Sequence, residues 1–185
     1  LKYADSHIGL DELRKRIPDR HTVLVEYFVH DTTLYAFVIG QEEATAVRGT
    51  LDASPDSLVS TLRTVLDPVV FTKDPVHSQK EFVEISNRLH RSLLQPVFSQ
   101  VPAATRRLII IPHGALAYIP FELLPAKPVT DRSAGYKDLP YLLREYSISY
   151  AYSAYMWGQE THHQSDWEAD FAGFAPSYSG TYLAS

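Results

Sequence analysis

Four sets of residues in this chain carry side chains able to do acid–base, nucleophilic or metal chemistry: Pro112-His113-Gly114, Ser86 with His90, Glu26 with Glu122, and His162-His163 with Asp166. An imidazole at the end of a buried strand can serve as a general base, and His113 follows the apolar run Leu108-Ile109-Ile110-Ile111. A base needs a nucleophile to deprotonate, and the chain contains no cysteine. His113 is therefore expected as a turn or strand-end residue, beside a Gly114 that supplies a special backbone angle. No G-x-S-x-G elbow presents a serine instead.

Ser86 and His90 stand four residues apart on a helical pattern, so their side chains can meet. No acidic orienter or oxyanion hole is legible near them, and Ser86 is expected to bond to the carbonyl one turn back. Glu26 and Glu122 are acids set within apolar stretches, and nothing in the sequence brings them together as a pair. Glu26 is expected to face solvent on an alternating edge strand, and Glu122 to cap or pair at the start of a short helix after Pro120. The adjacent His162 and His163 diverge in any regular element, and with Asp166 they match no standard ligand spacing. No residue of this chain is expected to be catalytic, to bind a cofactor or to ligate a metal.

The bulk composition narrows the function further. With 185 residues, 45% of them hydrophobic, the chain can bury a sizeable core. A formal net charge of −5 gives no attraction toward phosphate backbones or anionic lipid, so neither nucleic acid nor membrane is expected as a partner. The longest apolar run, Leu108 to Pro112, falls far short of the ~20 residues that cross a bilayer. No basic segment followed by an apolar core opens the chain, and the cytoplasm is the default compartment.

Several elements must position these residues. Leu10, Leu13 and Ile17 have helical spacing, and Pro18 stops the run. Thr22 to Val29 and Leu34 to Ile39 flank His30-Asp31-Thr32-Thr33 and predict an antiparallel hairpin, with Ala44 to Arg48 as a third, meandering strand. Ser54 and Pro55 open a helix carrying Leu58, Leu62, Val65 and Leu66, which Asp67-Pro68 closes. A longer helix is predicted over 77–98, with Phe82, Ile85, Leu89, Leu93 and Val97 on its core face and Glu81, Glu84, Arg88, Arg91 and Gln95 opposite. Leu108 to Ile111, Tyr146 to Tyr152 and Phe171 to Phe174 read as strands covered on both faces. The fold class is α/β: a mixed sheet in which an N-terminal antiparallel hairpin or meander joins later parallel strands, with flanking helices.

The order of these segments resembles the CHAT domain family. The resemblance rests on Leu24 to Phe28, Leu34 to Ile39, Leu93 to Pro96 and above all Ile109-Ile110-Ile111-Pro112-His113-Gly114-Ala115-Leu116-Ala117-Tyr118-Ile119-Pro120-Phe121-Glu122-Leu123-Leu124. Tyr141 to Leu143, Tyr146 to Ser153 and Phe171 to Pro176 continue it, so that it spans about Val23 to Pro176.

The family is similar to caspases and separases, and its members are commonly attached to helical repeat arrays such as TPR repeats. The resemblance implies that 1–18 is a connecting helix at the end of such an array and that 19–185 is the N-terminal part of a caspase-like domain. The family's His-Gly and Cys dyad motifs lie downstream of the segment resembling Phe171 to Pro176, so neither transfers to a position here. Ile111, Pro112, His113, Gly114, Pro120, Phe121 and Glu122 then form a structural motif.

The expected function is a non-catalytic scaffold portion of a CHAT protein whose intact form is a caspase-like cysteine peptidase. Its expected partners are proteins: the catalytic half, the repeat array or the peptidase's protein substrate. A protein-interaction module without enzymatic activity is the alternative, and a small Ser or His hydrolase is a more distant one. No cofactor is expected.

Overall fold

The structure is a computed structural model and describes residues 8–131 and 135–159. Its centre is a five-stranded sheet in the order β3-β2-β1-β4-β5. β1 (Thr22–His30), β2 (Thr33–Ile39) and β3 (Ala44–Thr50) form the expected antiparallel meander. The His30↔Thr33 pairing leaves Asp31 and Thr32 as the turn. Asp31 sits at φ 54°, a left-handed conformation its short polar side chain tolerates.

β4 (Arg107–Ile111) lies parallel to β1, and β5 (Ser147–Tyr150) lies parallel to β4. One sheet thus joins the two halves of the chain. The expected strand at Phe171 to Phe174 lies outside the described residues.

Alternation along the strands divides the core in two. On one face Val23, Val25, Tyr27, Val29, Leu34, Ala36, Val38, Leu108 and Ile110 are buried under the helices. These are α2 (Pro55–Val65), α3 (Pro68–Lys73), α4 (Pro75–Leu89), a π-helical turn over His90–Leu94, and α5 (Gln95–Phe98). The predicted core stripe Phe82, Ile85, Leu89, Leu93 and Val97 is almost wholly removed from water. At ~1.5–3 kcal/mol for each large side chain, this layer dominates the stability of the sheet. On the opposite face, α1 (Leu10–Arg16) and α6 (Ala154–Gln159) cover a smaller cluster of Leu13, Ile17, Leu24, Ile39, Ile109, Ile111 and Ala154.

The helices depart from the predicted pattern in three places. Asp67-Pro68 closes α2 and also opens α3, because the Asp67 carboxylate accepts the Val69 N–H at 2.7 Å and Pro68 has no N–H to leave unsatisfied. Asp74-Pro75 repeats the device, so the long helix begins at Pro75 rather than at 77.

That helix is also interrupted rather than continuous to residue 98. Pro96 has no N–H for the carbonyl of Ser92, and the helix widens to a π turn ahead of it. The Tyr27 hydroxyl donates to the Leu93 carbonyl at 3.2 Å and satisfies one group of that turn.

Two apolar positions of the predicted helical stripes fall outside the core: Leu66 is the exposed C-cap of α2, and Leu10 lies at the exposed start of α1. β5 corrects a further expectation. It lies at the edge of the sheet, and Ser147, Ser149 and Tyr150 are exposed rather than covered on both faces.

Candidate functional site at the carboxyl ends of the parallel strands

β1, β4 and β5 run in one direction, so their carboxyl ends share one edge of the sheet, the place where open α/β sheets bind ligands. At this edge β4 leads into Pro112-His113-Gly114. Gly114 takes φ +56°, which reverses the chain into a 3-10 turn over Gly114–Tyr118. Pro120 then sets up a second 3-10 turn, Phe121–Leu123. Leu116, Ile119, Phe121 and Leu124 anchor both turns in the main core. The Phe121 ring is fully buried and stacks on Tyr27 with centroids 5.5 Å apart.

Glu122 and Tyr150 meet at this edge. The Tyr150 hydroxyl donates to Glu122 Oε2 at 2.7 Å and accepts the Phe121 backbone N–H at 3.0 Å. Burial, with the hydrogen bond to the carboxylate, holds the Tyr150 phenol well above its ordinary range, so it stays protonated as a donor. Glu122 therefore pairs across to β5. Capping the turn after Pro120, the other expected role, is not what its side chain does, since that turn has no side-chain cap.

His113 is exposed, and its ring lies 4.7 Å from that of Phe28. Its Nδ1 accepts the Val29 backbone N–H at 3.3 Å. In the neutral ring this places the proton on Nε2, which is then a donor. His113 and Glu122 thus engage different partners, Val29 and Tyr150.

The remaining sequence candidates lie elsewhere. His90 is buried, and its Nδ1 meets the Pro125 carbonyl at 2.8 Å. Ser86 is buried too, but its hydroxyl has no hydrogen-bond partner among the described residues, contrary to the expected bond one turn back. Between them Asn87, which the sequence reading passed over, grips the segment after Leu124 by donating to the Val129 carbonyl at 2.9 Å and accepting its N–H at 2.8 Å. These contacts tie α4 to the chain that follows the second 3-10 turn. His162, His163 and Asp166 lie outside the described residues. Among the described residues no three His, Cys, Asp or Glu side chains gather as a metal site, and no helix is long and apolar enough to cross a membrane.

Glu26 corrects the sequence reading. β1 is an interior strand, not an edge, and the Glu26 side chain is half-buried beside α6. Burial holds its carboxyl above the ordinary range, an effect that a hydrogen bond from the Ala154 N–H partly offsets. Phe37 is its direct partner on β2, and Tyr35 is the partner of Phe28. Glu26, Phe28, Tyr35 and Phe37 therefore share one face, where with His113 and Tyr152 they line a hollow of about 330 Å³. The alternating pattern of β1 and β2 already carried this signal, since Phe28, Tyr35 and Phe37 fall on the face that Val25, Tyr27 and Ala36 do not.

Comparison with known families adds one match: residues 83–172 correspond to the CHAT domain. This stretch belongs to the CHAT domain family. The match starts within α4 and takes in the π turn, β4, the Pro112 to Leu124 segment and β5. It is narrower than the resemblance from Val23 to Pro176, and it leaves the β1–β3 meander outside. That meander is joined to the CHAT stretch through the parallel β1–β4 ladder. No curated protein matches the chain.

Proposed function

We propose that this chain is a non-catalytic scaffold portion of a CHAT domain protein whose intact form is a caspase-like cysteine peptidase. The observation that carries the reading is the state of His113. Its Nδ1 lone pair is taken by the Val29 N–H, so the neutral ring has no free acceptor with which to deprotonate a nucleophile. The 185 residues also hold no thiol for it to activate. β5 supports the reading from another side: among the described residues it has no neighbour on its outer edge, so the parallel sheet can accept a further strand there.

The test is incubation of purified residues 1–185 with a mixed peptide library, alongside His113→Ala. No cleavage by either protein is expected. Cleavage by the wild-type chain that is lost in His113→Ala would overturn the proposal and make His113 a base.

A second reading, a protein-interaction module without enzymatic activity, is favoured by a different observation. Phe28, Tyr35, Phe37 and Tyr152 are 47%, 38%, 42% and 93% exposed, and the first three stand together on one sheet face. Clustered exposed aromatics of this kind mark contact surfaces.

A further inference from the structure

The hollow on this sheet face combines two features that are costly apart. Its walls are aromatic: Phe28, Tyr35, Phe37 and Tyr152, with the His113 ring against Phe28. Its sheet floor carries one carboxylate, Glu26, directly opposite Phe37. A half-buried carboxylate beside apolar rings loses hydration, and proteins ordinarily compensate with a cation. Among the described residues none pairs with Glu26. Arg48 is the partner of Tyr35 on β3, two strands across from Glu26 and two residues further along the sheet, in line with Phe28 rather than with Glu26.

The hydrogen bond from Ala154 N–H accounts for part of the Glu26 acceptor capacity and leaves the rest open. Aromatic faces with a carboxylate between them form the environment that holds a guanidinium or ammonium group. The rings supply cation–π attraction and the carboxylate supplies charge-assisted hydrogen bonds. At about 330 Å³, the hollow also has room for one long side chain.

We propose that Glu26, Phe28, Tyr35, Phe37 and Tyr152 form a binding site for a cationic side chain, Arg or Lys, presented by a protein partner. This rests on the interaction reading of the same face and adds the chemistry of what it takes. Of the two cations, Arg fits better, because its planar guanidinium stacks on rings and can use a carboxylate in a fork geometry.

The test uses the whole chain and short capped tripeptides with a central arginine, lysine or citrulline, the last being arginine's neutral isostere. Binding is followed by the aromatic and backbone NMR signals of Phe28, Tyr35, Phe37 and Tyr152. The arginine peptide is expected to shift these signals with saturation, the lysine peptide more weakly, and the citrulline peptide not at all. Glu26→Gln, which keeps an oxygen to accept the Ala154 N–H, should weaken arginine binding roughly tenfold while leaving the thermal midpoint close to wild type. Phe37→Leu, which keeps the bulk and removes the ring, should weaken it as well.

Equal response to arginine and citrulline, or indifference to Glu26→Gln, would overturn the cation site while leaving the face as an apolar contact surface. Silence of all four residues toward every peptide would remove both the cation site and the interaction reading of this face.

Discussion

Truncating Phe121 isolates what the turn after β4 contributes. Its ring has 0% exposure, stacks on Tyr27 at 5.5 Å and lies 6.4 Å from the Tyr150 ring. Phe121→Ala removes both aromatic contacts and leaves a cavity between neighbours that are themselves buried, Tyr27 and Leu124. The hydrogen bond to the Tyr150 hydroxyl comes from the Phe121 backbone N–H, so it survives the substitution and the loss measures the side chain alone.

Deletion of a buried aromatic costs about 3–5 kcal/mol, and the two ring contacts place this site toward the upper end. For a domain of this size that corresponds to a fall in thermal midpoint of roughly 6–20 °C. Urea denaturation and thermal melts of Phe121→Ala should be compared with Tyr118→Ala, a substitution in the neighbouring turn at a residue 68% exposed. The surface control should stay within about 0.5 kcal/mol of wild type. If both variants melt together, Phe121 does not anchor the turn and the account of the Pro112 to Leu124 segment fails.

Gly114→Ala should cost about 1–2 kcal/mol in urea denaturation, because φ is +56° while an added Cβ meets nothing within 4 Å, so only backbone strain is at stake; an unchanged midpoint contradicts the left-handed turn. Ser86→Ala should raise stability by about 1 kcal/mol, since it removes a buried hydroxyl without a partner; a destabilised variant shows that the hydroxyl is bonded after all. Tyr150→Phe strips Glu122 and the Phe121 N–H of their partner and should cost about 1 kcal/mol near neutral pH, at the low end because water reaches the half-exposed site. The folded-state pKa of Tyr150 is raised above its unfolded value of about 10, so its contribution is complete below that pH and is lost as pH rises toward the folded value. The Tyr150→Phe penalty, read from melts over roughly pH 8 to 11, should therefore shrink on the alkaline side, and a penalty independent of pH contradicts the assignment.

The meander, α2 and the buried run of β4 were legible because each follows from a local rule: β-branched and aromatic runs flanking a polar turn, a Ser-Pro helix start, and an apolar run ended by Pro-His-Gly. The long helix was legible by face but not by boundary. Asp67 and Asp74 cap new helices only if the chain turns there, and the π turn depends on Pro96 and on a hydroxyl from Tyr27, a strand away.

The candidate site divides in the same way. The amino-acid sequence by itself determined the absence of a thiol, the special backbone at Gly114 and the common face of Tyr35 and Phe37 within one strand, since these follow from residue type and strand period; the pairing register adds Phe28 to that face. Only the tertiary structure decided that Tyr150 binds Glu122, that Val29 occupies Nδ1 of His113, and that Glu26 sits half-buried on an interior strand with α6 at its side. Alternation says which way a side chain points. What stands in front of it is set by segments distant in sequence, and here those segments cover Leu24, Ile39, Ile109 and Ile111 while leaving Phe28, Tyr35 and Phe37 exposed.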